Sequence, residues 1–426
     1  MKKRSYLLVL IALASHTLFS CTAKEPNTNT TDPTQDEYIT QDVVKSSPAA
    51  FYYSIAPALA KADTPEKKQS LGDSIYLIAK EKNWIPIVFA DTAVFIYRHS
   101  SNTNITVKVF GDLNGWSESK APQVSLTRYA DTRLYAGIYK APSTTTRIDY
   151  KLVVGSAWIL DPGNTKLAWG GMGSNSEVAL SEYEYSPWVK ARSDINKGTL
   201  SANQLITSTA LGYNINYRVY LPYGYDSELS YPVLFVTDGH EYISNNLGAL
   251  PNVADNMLHE NKIEPLIIVF VDPRDPTNGT NKRMTEYVAN DEFVTFLADE
   301  LYGAIAENYS IKDSPEQTAI LGTSLGGLNS AYVGIKRSDV FGLLAIQSPA
   351  LWIHLGIFDL YNGDKKNLKI YMDAGTIHDT QERAMELKTI LENKSYTFQY
   401  TEYDEGHSWG NWRARMDDVL IYFFEK

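Results

Sequence analysis

The residues best suited to chemistry stand together at Gly322-Thr323-Ser324-Leu325-Gly326-Gly327. An apolar run, Ala319-Ile320-Leu321, precedes them, and a helical stretch follows. A serine in G-x-S-x-G between a strand and a helix sits on a sharp turn that lifts its hydroxyl above the sheet. The glycines permit close packing of that turn. The N–H of Leu325, at the helix start, can face a developing oxyanion. A serine hydroxyl is a weak nucleophile and needs a base. Of the seven histidines, His407 lies in Glu405-Gly406-His407-Ser408-Trp409, after the last expected strand (Tyr396–Tyr403) and before a final helix from about Trp409 to Phe424. A third group should orient the imidazole and stabilise its cation. It belongs after the strand Leu368–Met372, where Asp373 stands at the strand end and Asp379 in the loop beyond. Asp379 is favoured over Asp373, and a Ser–His dyad stays open. The second oxyanion donor is expected after the strand ending at Val236, from the N–H of Gly239 or His240 in Asp238-Gly239-His240.

These groups need a frame, and the chain supplies one from Gly198 onward. Tyr231-Pro232-Val233-Leu234-Phe235-Val236 and Leu266–Val271 are apolar enough to be buried on both faces, and they alternate with helical segments such as Asn290–Tyr309. That alternation predicts an α/β domain over 198–426 with a mostly parallel sheet and crossover helices. Residues 86–190 read differently. Short alternating strands separated by turn signals predict a small β-sandwich. Residues 46–85 read as helical, with stripes at Phe51, Tyr52, Ile55 and at Leu71, Ile75, Ile78.

The start of the chain has its own pattern. Lys2, Lys3 and Arg4 precede an apolar run from Tyr6 to Phe19, and Leu18-Phe19-Ser20-Cys21 follows. A basic start, a short apolar stretch and a small residue predict a secretory signal over 1–20. Leu-Phe-Ser-Cys resembles a bacterial lipobox, which makes Cys21, the only cysteine, the expected lipidation site. Residues 21–45 then read as a lipidated cysteine and flexible tether, and the protein as a bacterial outer-membrane lipoprotein facing the periplasm or the outside. Loss of the signal leaves 36 basic residues against 50 acidic, so the net charge moves from -11 to -14. Such a surface repels phosphates and argues against a nucleic-acid role. No residue cluster has metal-ligand spacing and no nucleotide-binding fingerprint is present, so neither metal nor cofactor is expected. Oligomeric state is not readable.

Several motifs taken together carry a resemblance. Tyr231–Gly239, Arg283-x-x-Glu286-Tyr287, the Gly322–Gly327 elbow, Gly375-Thr376 and Gly406-His407-x-Trp409 resemble the esterase family of enterochelin esterases, feruloyl esterases and esterase D-like enzymes. The match spans about 205–425. The order Gly111-Asp112, Asn114, Trp116, then Tyr150-Lys151 and Asp161-Pro162 resembles the early-set immunoglobulin-like domains that precede certain esterases. The resemblance implies an α/β-hydrolase that cleaves carboxylic esters through an acyl-enzyme. The substrate would be a siderophore-type lactone or an acyl or aryl ester of a glycan. Arg283 and Glu286 are candidates for substrate contact or for a structural ion pair, and Trp409 is a further substrate-side candidate. Trp116 and Trp158 are expected as packing anchors or as ring-stacking groups. Departing from the family's Gly-Thr-x-acid pattern, His378 stands where the acid is expected and Asp379 follows. An acyltransferase of the same fold and a non-catalytic glycan-binding lipoprotein are the alternative readings.

Overall fold

The computed structural model describes residues 43–426. The expected signal, Cys21 and most of the tether lie outside the described residues. Among those described, no helix is long and apolar enough to cross a membrane.

Two helices come first, Pro48–Lys61 and Pro65–Glu81. Each begins with proline, whose missing N–H costs nothing there, behind a hydroxyl cap: Ser47 accepts from the Ala50 N–H and Thr64 from the Lys67 N–H. Their apolar stripes bury Phe51, Ile55, Leu71 and Ile75 against Val94, Ile96 and Leu134 of the sheet that follows. The strand Thr92–Arg98 therefore has two buried faces. Its alternate residues Ala93, Phe95 and Tyr97 point into a second core.

That sheet has nine strands between Ile87 and Ala179, and every pairing in it is antiparallel. It folds over on itself. The strand Val124–Arg128 pairs with Val107–Val109 through its first residues and with Tyr135–Ala136 through its last. The two leaves meet around Phe95 and Tyr150, whose rings pack edge to face at 4.8 Å.

The second sheet also has nine strands but is mixed. From Ile267–Asp272 through Val233–Val236, Thr318–Thr323, Leu343–Gln347 and Lys369–Gly375 to Thr397–Tyr403, neighbours run parallel. On its other flank Asn214–Leu221 pairs antiparallel with Ile267–Asp272, Thr199–Leu200 and Gln204–Thr207. Helices cover both faces, so Val233 and Phe235 enter one core while Leu234 and Val236 enter the other. Two segments expected as single helices are interrupted. The segment after Asn290 runs as Asp291–Thr295, a wider π-helical stretch Phe296–Leu301, then Tyr302–Asn308. The C-terminus breaks at Ala414 and Arg415 into Trp409–Arg413 and Met416–Phe424.

Candidate active site

Ser324 sits between the strand Thr318–Thr323 and the helix Leu325–Lys336, with φ 59° and ψ −116°. A non-glycine residue rarely takes such a conformation, and here the surroundings dictate it. Its N–H bonds the Gln347 carbonyl at 3.0 Å, and its carbonyl accepts from the Ala350 N–H at 2.9 Å. Gly322 is required because a Cβ there would lie 2.3 Å from the backbone of Gly326. Leu325 heads the helix, so its N–H has no carbonyl one turn earlier to bond.

His407 lies in the loop between Thr397–Tyr403 and Trp409–Arg413. Its Nε2 is 2.9 Å from Ser324 Oγ, and its Nδ1 is 2.5 Å from Asp379 Oδ1. The other oxygen of Asp379 accepts from Ser348 Oγ and from the Gly375 N–H, both at 2.6 Å. The Asp379 side chain is wholly shielded from solvent, whereas the imidazole is one-third exposed at 33%. One ring edge rests on Trp412, centroids 4.9 Å apart and planes at 86°. Asp373 lies deeper. It accepts from Gln347 Nε2 and the Ser348 N–H, both at 3.2 Å, and makes no bond to His407. Burial pushes its carboxyl up to about 7.

The loop after Val236 faces the same place. Asp238 takes a left-handed conformation, φ 54°, and the short helix Gly239–Ile243 follows. Gly239 passes so close to Phe270 that a Cβ would lie 2.6 Å from its backbone. Arg283 ties this loop to the elbow: its Nε is 2.9 Å from both Asp238 oxygens, and its Nη2 donates to the Thr323 carbonyl at 3.1 Å. Arg283 therefore pairs with Asp238 and not with Glu286. Glu286 is buried, accepts from the Tyr213 hydroxyl at 2.9 Å, and has its carboxyl raised to about 7 by burial. It does not line the cleft, which corrects its candidacy for substrate contact. The His240 side chain also turns elsewhere, into a separate hollow with Asp272 and Arg274, where burial lowers its basicity.

Above Ser324 opens a cleft of about 610 Å³. Arg283, Trp409 and Trp412 line one side. The Trp409 Nε1 donates to Glu241 at 2.8 Å and the ring stands edge-on to Trp412 and Tyr242. The opposite wall comes from the antiparallel sheet: Trp116, Lys151, Trp158 and Met172. Trp116 and Trp158 lie near parallel, 20° apart with centroids at 6.4 Å, and are 36% and 50% exposed. Trp116 is fixed by its Nε1 bond to Asp112, and Trp158 leans on Phe110. Neither is a buried anchor. Sequence reasoning offered Trp116 and Trp158 as ring-stacking groups but missed Trp412 and the meeting of the first sheet with Ser324 in one cleft. Trp412 carried a signal, being i+3 from Trp409 on one helix; Lys151 and Met172 carried none.

The endo-1,4-beta-xylanase/feruloyl esterase of Xylanibacter ruminicola is 28% identical over 211 residues, 47% of this chain and 28% of that protein. The iron(III) enterobactin esterase of Escherichia coli K12 is 25% identical over 201 residues, 45% of this chain and 49% of its own length. The chain thus spans about half or less of these two relatives. The crystal structure of the enterobactin esterase from Shigella flexneri superposes with a TM-score of 0.64 at 19% identity, covering 78% of this chain and 92% of that one. That likeness in fold extends beyond the hydrolase half into the preceding residues. The family described as "Putative esterase" matches residues 208–423, half of the chain. The chain belongs to that family and is a serine esterase.

Proposed function

We propose that this esterase works through Ser324, His407 and Asp379 by an acyl-enzyme route. Ser324 Oγ attacks the ester carbonyl while His407 Nε2 takes its proton. The N–H groups of Leu325 and of Gly239 or His240 hold the oxyanion. His407 then returns the proton to the departing alkoxide, and a water molecule repeats the sequence to free the acid. Asp379 fixes the tautomer that leaves Nε2 unprotonated and offsets the charge of the imidazolium. The observation that carries the reading is the continuous hydrogen-bonded line Ser324–His407–Asp379.

The substrate is a ring-bearing ester, either a siderophore-type lactone or an acyl or aryl ester of a glycan. The exposed indoles of Trp116 and Trp158 beside the nucleophile support a planar or ring-shaped group there. The early-set immunoglobulin type assigned to the first sheet is supported by its all-antiparallel pairing. Lipidation at Cys21 and an outer-membrane location are supported by the basic-apolar leader and the single cysteine. Hydrolysis of p-nitrophenyl acetate by Ser324→Ala and His407→Ala tests the mechanism. Both should lose about 10⁴-fold or more in kcat, leaving the residual rate that binding and the oxyanion donors supply, and wild-type turnover in either sinks it. A panel of a catecholate trilactone, methyl ferulate and acetylated xylan decides the ester class. Cys21→Ala should release the protein from the membrane fraction.

A further inference from the structure

The loops carrying the base and the acid both dock on the antiparallel sheet, not only on their own domain. Arg147 opens the strand Arg147–Val154 and is 2% exposed. Its N–H bonds the Asp404 carbonyl at 3.2 Å. Its guanidinium reaches Glu405 at 3.5 Å and Ser408 Oγ at 3.4 Å, on either side of His407. Glu177, from the same sheet, accepts from the Arg147 Nε and Nη2 at 2.9 and 2.7 Å, and Asp149 makes a charge contact with Nη2 at 2.8 Å. Glu405 is equally buried and takes a second cation, Arg415, at 2.7 Å. The backbone fits as closely as the charges do. A Cβ on Gly406 would lie 2.3 Å from Asp112, and one on Gly410 2.0 Å from Arg147.

The acid loop is held the same way. Ile377 sits in the core of the antiparallel sheet, while its N–H bonds the Glu405 carbonyl at 3.1 Å. His378 Nε2 lies 2.8 Å from the Ala121 carbonyl, across the same seam. Asp379 follows directly. The two loops are thus bonded to each other and both are registered against one partner.

We infer that Arg147 is a positioning residue for catalysis: through Glu405 and Ser408 it sets the place of His407, and the Ile377–His378 socket sets that of Asp379. This rests on the Ser324–His407–Asp379 reading and adds that the first sheet is a working part of the active site. A multidonor guanidinium suits the task because its fork fixes direction as well as charge.

The test uses the full chain. Arg147→Met removes the fork. Arg147→Met/Asp149→Asn also neutralises the buried carboxylate that the single variant would strand, while Glu405 keeps Arg415. His378→Asn keeps the left-handed turn while losing the seam bond. Active sites are counted by exhaustive reaction with a p-nitrophenyl phosphonate, and kcat is expressed per titrated site. Both Arg147 variants should lose about 10- to 100-fold in kcat with KM little changed, as sub-ångström to 1 Å displacement of a base does. His378→Asn should lose less, in the same direction. Wild-type kcat per titrated site in the folded variants, even with fewer titratable sites, overturns the inference, since a merely stabilising contact changes the number of sites and not their speed. If neither Arg147 variant folds, His378→Asn decides alone. Full activity of Ser324→Ala would instead refute the underlying mechanism.

Discussion

Replacing Asp379 by asparagine should do more than remove a charge. The oxygen of Asp379 that faces away from the base accepts two donors, Ser348 Oγ and the Gly375 N–H, each at 2.6 Å. In Asp379→Asn the amide oxygen must meet these donors, because an NH2 group there would face two further N–H and O–H protons. The amide NH2 then faces His407 Nδ1, which can bond it only as an acceptor. The neutral imidazole must therefore carry its proton on Nε2, the atom 2.9 Å from Ser324 Oγ. That tautomer has no lone pair for the serine proton. A wrong-tautomer substitution of this kind costs about 10⁴ in kcat, which at about 1.36 kcal/mol per decade is roughly 5 kcal/mol of lost transition-state stabilisation. The assay is steady-state hydrolysis of p-nitrophenyl acetate with the Ser324→Ala rate subtracted. Melting temperature is measured alongside, since the variant keeps every bond to the Asp379 loop. Retention of more than a tenth of wild-type kcat in a folded Asp379→Asn would refute the argument. It would do so most directly if Asp373→Asn were the inactive one.

Asp373→Asn should leave kcat within a few-fold and change the pH dependence of stability. The folded chain holds the Asp373 proton up to about pH 7, against an ordinary value of 3.8. Between these values the folded state binds the extra proton, so this group makes stability fall as pH rises. The asparagine variant should lose less melting temperature than wild type between pH 5 and pH 8; an equal loss counts against the assignment. Gly322→Ala should cost about 1–3 kcal/mol or more by overpacking and abolish turnover, read by urea unfolding and the same esterase assay. Trp158→Ala should lower the ratio of kcat/KM for methyl ferulate over methyl butyrate by about tenfold, the scale of a lost ring contact of roughly 1.4 kcal/mol. An unchanged ratio would remove Trp158 from the substrate's path.

The elbow and the base were legible because their chemistry depends on local features. Gly322 and Gly326 mark a turn that only glycine fits, and His407 follows the last strand closely enough to be placed by order alone. The acid was ambiguous for a physical reason. The strand expected to end at Met372 continues to Gly375, which carries Asp373 into the sheet and leaves the reach of Asp379 to a turn at His378, φ 50°. Neither effect has a sequence period. The antiparallel flank was not read because Asn214–Leu221, Gln204–Thr207 and Thr199–Leu200 are only half-buried, and alternation along one strand does not say which way its neighbour runs. The seam was least legible of all. Arg147 and Glu405 are far apart in the chain, and each reads alone as a solvated charge. Trp116 and Trp158 have the composition of core residues, and only the fold brings them to the mouth of a cleft.

The conformation of Ser324 has a consequence for how such a chain can change. At φ 59° and ψ −116° an L-residue holds strain of about 1–3 kcal/mol, and a glycine at 324 would relax it. A substitution that relieves the elbow is thus one that erases the proposed nucleophile. Variants selected only for heat resistance should drift toward inert esterases, while a lineage that keeps its hydroxyl must keep tight packing around Gly322 and Gly326. On the proposed mechanism, the hydroxyl at 324 costs the turn stability that a glycine would return.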